Sequence, residues 1–518
     1  MFPILSVTLF APLVGALLIM VIPREDVKTI RRVGTAFAFL TLILTTIIWV
    51  GVAQAGADEM QFTERYRWIP GDVGDSVVFD IWYHLGVDGL SAPMLFLTAL
   101  LTTLSLFYSA RTIKTRVKEY YFLFLLLEMG MFGVFISLDL VLFYVFWEVG
   151  LVPMFLLIGV WGGARREYAA IKFFLYTLVG SVAMLLAIIG VYFNTGTFDI
   201  LKAAEIGPFS DPAQWTAACM AFWAFFIAFA IKVPSFPLHT WLPDAHTEAP
   251  TAGSVILAGI LLKLGAYGLI RIALPLFPGP FHYFVVQVPI IPVIAVISIT
   301  YGAMVCMAQW DLKRLIAYSS VAHMGYVTLG IAAAAAGIGG IANSQEAFNA
   351  AASGLNGAAF QMFAHGIITG GLFFLVGIIY ERAHTRDLKA FGGLGSQIPY
   401  YYGITLVTSF ASLGLPGLAG FWSEFFVFRS TVFFIPVAAF IGVLGVVFTA
   451  AYILWKIVQY VFLGELDKEK WGKLPDMEWW EKVTVWPLVV IMVFLGFYPT
   501  PLLDMFNHAL TALLNNLP

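Results

Sequence analysis

Glu148, Lys232, Lys263, His323, His365 and Glu424 each interrupt a stretch of the chain that is otherwise apolar. A charge at bilayer depth costs roughly 3 kcal/mol or more. Such a residue persists where it is paired, hydrated or functional. Glu148 stands in DLVLFYVFWEVGLVPMFLLIG, and Lys232 in FWAFFIAFAIKVPSFPLHTWLPDAH, with Pro234 and Pro237 directly behind it. Proline removes an amide donor and breaks the i to i−4 ladder. The helix is therefore expected to break just past Lys232. Broken helices inside membranes line cavities or sites, and a lysine beside a break can approach water. Glu148 is its natural partner. The two would form a switchable pair, in which moving the carboxylate away lets the lysine give up its proton. The plainer alternative is a structural ion pair.

Lys263, in TAGSVILAGILLKLGAYGLIRIALP, lies about thirteen residues into its stretch and is the next candidate proton site; snorkelling to an interface is the alternative. His323 and His365 fall inside apolar stretches as well, and histidine carries a proton near neutral pH at little penalty. They are relay candidates, or else packed, hydrogen-bonded histidines. His239 and His246, with Asp244 and Glu248, follow the first break and could form an entry path near one mouth. Their positions do not make a metal site. Glu424 follows a second predicted break, at Pro416 among Gly414, Gly417 and Gly420. Glu128 and Lys172 are further charges in apolar surroundings, with a secondary relay role open to each. Lys456 reads first as an interface anchor, with a secondary relay role open to it as well.

The elements that must position these residues are membrane helices. Hydrophobic residues make up 60% of the 518-residue chain and charged ones 11%, against about 25% in soluble domains. The mean hydropathy is +0.89. About fourteen spans are expected, near 3–22, 32–53, 82–110, 118–137, 139–161, 168–193, 214–234, 250–275, 282–307, 315–338, 354–380, 398–430, 433–460 and 484–512. The first begins at the N-terminus without the basic leader of a signal peptide. On this map 19 basic residues fall on one side and 5 on the other, and four lie within spans. The positive-inside rule puts the basic side in the cytoplasm, with both termini opposite. The breaks in spans seven and twelve are five spans apart. Spans four to eight and nine to thirteen are therefore expected to be two inverted five-helix repeats in an all-α polytopic membrane protein. The divisions follow: 1–115 for the first three helices, 116–275 and 276–460 for the repeats, 461–518 for a loop and the last helix.

The same reading excludes other classes. A net charge of −3 without a basic tail argues against nucleic-acid binding. The loops, the largest near 54–81, 194–213 and 461–483, leave no room for a nucleotide-binding domain, and no GxxxxGK[ST] occurs. Cys219 and Cys306 stand alone, so neither an Fe–S nor a zinc site is expected.

The stretches HLGVDGLSAPMLFLTALLT, YYFLFLLLEMGMFGVFISLDLVLFYVFWEVGLVPMFLLIGVWGG, FAIKVPSFPLHTWLPDAHTEAPTAGSVILAGILLKLGAYG, KRLIAYSSVAHMGYVTLG and SLGLPGLAGFWSEF resemble the antiporter-like membrane subunits of proton-pumping NADH-quinone oxidoreductase, respiratory complex I. They run from about 84 to 430. The resemblance implies that Glu148 is the channel glutamate of the fifth helix, Lys232 the lysine of the broken seventh and Lys263 the central lysine of the eighth. It implies relay positions for His323 and His365 and a terminal acid at Glu424. A glutamate there, the DGLS element and the lack of a long C-terminal lateral helix separate the chain from the type called L. The sequence around spans four and five separates it from type N. Expected neighbours are the antiporter-like chains L and N, the lipid bilayer and, indirectly, a peripheral redox arm. FMN and Fe–S clusters would sit in partner subunits and no cofactor in this chain. Short loops fit a bacterial plasma membrane, with a thylakoid or organelle inner membrane left open. The rival readings are a subunit of a multi-subunit Na⁺/H⁺ antiporter of the Mrp type and the membrane arm of a ferredoxin- or hydrogenase-linked relative.

Overall fold

The computed structural model describes residues 2–73 and 76–517. Among these, thirteen helices are long and apolar enough to cross a membrane by length and composition. Aspartates mark many of the helix starts. Asp26, Asp139, Asp199 and Asp311 each stand at an N-cap and accept the first free amides of the helix that follows. The joint expected at Ser137–Asp139 is one of them, between Val117–Ile136 and a helix that starts at Leu140.

Both predicted breaks are present. The first separates Trp215–Lys232 from Trp241–Glu248. The second separates Pro399–Ser412 from Ala419–Phe434. It turns on Gly414 and Gly417, at φ 78° and 91°, where a side chain would be strained. Neither half of this second element is long enough to rank among the thirteen spans.

The structure departs from the expectation in four places. Much of the presumed 54–81 loop, together with the presumed start of the third span, is an antiparallel hairpin, Gln61–Val73 with Ser76–Val87; positions 74–75 of that loop lie outside the described residues. The third helix itself runs Ser91–Thr112. Aromatic and β-branched residues at 77–83 suit a strand as well as a membrane helix, which is why hydropathy misled. The carboxylate of Glu64 ties the hairpin to the first helix by accepting the amides of Leu5 and Ser6 at 2.9 and 3.2 Å. The expected ninth span is divided into Pro278–Val286 and Ile290–Ala308, with Pro289 between them. The last is divided into Trp479–Phe497 and Thr500–Asn515 around Pro499. Finally, the fifth span is interrupted at Gly150, between Leu140–Val149 and Leu151–Trp161.

At the centre stand the helix segments Thr251–Leu276 and Gln345–Ala383, the two whose apolar stretches are buried throughout. They touch backbone to backbone at two glycines. A Cβ on Gly366 would lie 2.9 Å from the Gly259 carbonyl oxygen. Small residues allow this approach in membrane bundles, and here they set the spacing of the side chains on either side. The Arg166–Thr195 helix runs on the periphery. It exposes Ile171, Leu175, Val179, Val182, Leu186, Ile189 and Phe193 at helical spacing, the pattern of a face turned to lipid or to another subunit.

Candidate functional site

The glycine contact places Lys263 and His365 face to face. Lys263 is fully buried; its Nζ is 2.6 Å from Nδ1 of His365 and also donates to the Ala258 carbonyl oxygen. Residues Leu257–Leu261, just before Lys263, are π-helical. A π turn shifts the backbone ladder and recurs at functional sites. Here the lysine takes up a carbonyl of that turn.

From His365 the polar file continues to His323, with ring centroids 5.8 Å apart. His323 Nε2 lies 2.9 Å from Ser412 Oγ, and its Nδ1 faces Gln361 Nε2 at 3.5 Å and Glu424 Oε1 at 3.7 Å. Ser423 Oγ donates to Gln361 Oε1. A cavity of ≈ 10 Å³ lies among His323, Gln361, His365, Ser412 and Glu424, at the lower limit for one water. Gly414 at the second break lies against the Glu424 carboxylate: a Cβ there would fall 2.8 Å from Oε2. The break thus makes room for the acid.

The first break holds Lys232 at the C-terminal end of its helix, 2% exposed. The chain beyond is tied by side chains. Trp241 Nε1 donates to the Ile231 carbonyl at 3.0 Å, and the Phe236 amide donates to Ser298 Oγ at 2.9 Å. The expected contact between Lys232 and Glu148 is not a direct ion pair. Lys232 Nζ instead sits 5.0 Å from the centroid of the Trp147 ring. Glu148 remains close enough to act on it through its charge. Glu148 is only half-buried, and its Oε1 is buried without a hydrogen-bond partner. A Trp in an apolar run reads as packing, so Trp147 was missed.

The secondary candidates divide. His246 is fully buried, stacked on Phe373 at 4.6 Å, with both ring nitrogens unpartnered. It lies within charge range of Lys263 and of Lys313, and Lys313, which falls between the expected spans 282–307 and 315–338, is buried. His239 is 2% exposed and packs against Phe236 and Tyr301. Lys172 is only partly buried and is paired with Asp244 at 2.7 Å, so its charge is accounted for. Glu128 is fully buried; Oε1 accepts from Thr41 Oγ1 at 2.7 Å and Oε2 has no partner. Lys456 is buried against aromatic rings, 3.0 Å from the Trp310 centroid and 4.2 Å from that of Trp455, a cation–π contact. Also missed was the buried pair of Arg271 with Asp88; the proximity of Arg271 to the end of its span disguised it.

Among the described residues no group of three or more His, Cys, Asp or Glu could hold a metal ion, and both cysteines are free.

Two interrupted helices and a buried file of ammonium, imidazole and carboxylate groups define an antiporter-like membrane subunit. The chain belongs to the NADH:quinone oxidoreductase/Mrp antiporter transmembrane family, which matches residues 137–449. It is 42% identical over 525 residues to NADH-quinone oxidoreductase subunit M of Rhodobacter capsulatus, covering 99% of this chain and 96% of that one. With the subunit M of Rickettsia bellii it shares 40% over 516 residues, covering 99% and 98%. A chain of respiratory complex I from Thermus thermophilus superposes with a TM-score of 0.85 at 29% identity, covering 99% and 100%. A chain of the Mrp complex from Dietzia sp. shares the fold, with a TM-score of 0.81 at 22% identity, covering 99% and 98%.

Proposed function

We propose that this chain is a proton-translocating membrane-arm subunit of an NADH:quinone oxidoreductase, and that protons move along Glu148, Lys232, Lys263, His365, His323 and Glu424. The observation that carries the reading is the buried file from Lys263 through His365 and His323 to Glu424, with 2.6 Å between Lys263 and His365, 5.8 Å between the two ring centroids and 3.7 Å between His323 and Glu424. Each member can hold or pass a proton. His246 and Lys313 extend the file toward one face, and the Trp147 ring stands against the Lys232 ammonium. Glu128, His239, Lys172 and Lys456 lie off this file. Quinone reduction and its FMN and Fe–S chemistry belong to partner subunits. This chain supplies proton sites that respond to charge and conformational change from them.

Counting the two-piece Pro399–Phe434 element as one span gives fourteen, with both termini on the non-cytoplasmic side and 116–275 and 276–460 as inverted repeats. Two features support the inversion. The broken helices stand five spans apart. Two isolated backbone bridges, Asp139 with Asp199 and Asp311 with Asp387, join corresponding joints of the two halves, on opposite faces in this topology. The antiporter-like chains L and N are the proposed neighbours, and a bacterial plasma membrane the proposed location.

Purification of the tagged chain in mild detergent, with mass spectrometry of what accompanies it, tests the assignment. Flavin, Fe–S and quinone-site subunits are expected. Small antiporter subunits without any redox protein would move the chain to the Mrp branch of its family.

A further inference from the structure

The proposed file leaves one buried charge pair unused. Arg271, 6% exposed, donates through Nη2 to the Asp88 carboxylate, itself 2% exposed. Arg271 lies in the second π-helical stretch of its helix, Leu269–Ala273. Lys263, Tyr267 and Arg271 are spaced four residues apart, so they share one helix face. Tyr267 joins the series: its hydroxyl donates to the Phe135 carbonyl at 2.9 Å and receives Arg271 Nε at 3.3 Å. Beyond the ion pair is a cavity of ≈ 480 Å³, lined by both its members and by Asp58, Glu59, Glu205 and Ala512. Asp58, Glu59 and Glu205 are exposed, so the cavity is an open vestibule with acidic walls.

We infer that Tyr267 and the Asp88–Arg271 pair form a gated proton branch from Lys263 to this vestibule, separate from the file that ends at Glu424. The inference rests on the proposed role of Lys263. The branch is closed in this conformation, because Lys263 Nζ is turned back to Ala258 and His365. It opens when the side chain swings one turn along its helix, Arg271 leaves Asp88 and the Tyr267 hydroxyl turns from the Phe135 carbonyl to the freed carboxylate. The Lys263 ammonium then gives a proton to the Tyr267 oxygen as the Tyr267 hydroxyl passes its own to the Asp88 carboxylate. The Asp88 carboxylic acid releases that proton to water in the vestibule. Arg271 stays charged throughout, and the acidic wall supplies the counter-charge it needs while Asp88 is neutral. Lys263 thus chooses between two partners, His365 on one side and Tyr267 on the other, which is the choice a pump's central site must make.

A structural role is the competing account, since Asp88 also accepts the amides of Leu90 and Ser91 at 3.1 Å and so caps the helix behind it. The test therefore acts on the vestibule after assembly. In the whole complex with Cys219→Ser, Ala512→Cys is labelled from the vestibule side with a bulky, membrane-impermeant thiol reagent. Proton pumping per NADH oxidised is measured before and after, beside Tyr267→Phe and Lys263→Met. Parental pumping before labelling, its loss afterwards, and its loss in Tyr267→Phe are expected. Parental pumping in labelled Ala512→Cys and in Tyr267→Phe, with loss in Lys263→Met, would overturn the branch and leave the central file standing. Parental pumping in Lys263→Met as well would overturn both.

Discussion

Lys263 and His365 meet through a single 2.6 Å contact at the point where their two helices touch backbone to backbone. His365 Nε2, on the far side of the same ring, is buried without a partner. The imidazole can take a proton at one nitrogen and offer another at the opposite one, and the His323 ring lies 5.8 Å away between centroids. Its free nitrogen is therefore the natural hand-over point of the file.

Replacing His365 by Gln keeps a polar side chain but abolishes the two-nitrogen hand-over. Positioned acid–base groups contribute on the order of 10²-fold or more to proton transfer. His365→Gln is expected to slow coupled turnover by about that factor in assembled complex. Pumping assays on membrane vesicles check it.

Glu424→Gln preserves size beside Gly414 and removes the charge that faces His323 at 3.7 Å. Assembly is expected to survive and pumping to be lost. The acid adds little packing that Gln does not supply, so normal assembly with lost pumping separates a proton role from a structural one.

Gly414→Ala introduces a Cβ 2.8 Å from Glu424 Oε2 at a φ of 78°. A left-handed non-glycine residue costs about 1–2 kcal/mol, and the carboxylate must move as well. Lower thermal stability and slower pumping are both expected, and a melting curve of the detergent-solubilised complex measures the first.

Trp147→Leu removes the ring under the Lys232 ammonium. Desolvated cation–π contacts are worth about 2 kcal/mol. The lysine is then free to form a direct ion pair with Glu148. Turnover is expected to fall although both charged residues remain, and a further Glu148→Gln change should then add little.

Outside the spans, Asp139 sits at the joint between two helices, where burial pushes its carboxyl up to about 6 against the hydrogen bonds from Leu142, Trp82 and Val141. Because the folded value is raised, the folded joint binds a proton that the unfolded chain does not bind between about pH 6 and 3.8. The contribution of Asp139 to stability therefore grows as pH falls from 7 through 6. Burial also acts on Asp199, but the hydrogen bonds from His84 and Lys202 outweigh it and hold that carboxyl below its ordinary value. Its contribution is lost only at still lower pH. The protection factors of the Leu138 and Ile200 amides, which hydrogen-bond across this joint, should rise between pH 7 and 5, and Asp139→Asn should abolish the rise.

The central site was legible because charge is rare in this chain and proline is directional. Lys232 before Pro234, and Glu424 after Pro416, announce both residues and both breaks. What hydropathy could not convey is which apolar residue touches a charge. Trp147 looks like any other core aromatic, and its place under Lys232 depends on the crossing of two helices. Nor could it separate an aromatic strand from a short helix at 77–87, or locate Arg271, whose position near the end of a span suited a surface cation equally well. The burial of His246 was hidden in the same way: sequence gives distance from a break, whereas burial comes from the helix that packs across it.

The central claim is that Lys263 is an obligatory proton carrier. It is tested most directly by reconstituting the complete complex with Lys263→Met into sealed liposomes and measuring protons moved per NADH oxidised. Met fills much of the volume and carries no proton. Assembled complex with lost proton transfer is the predicted result. An unchanged ratio at unchanged turnover would contradict the account.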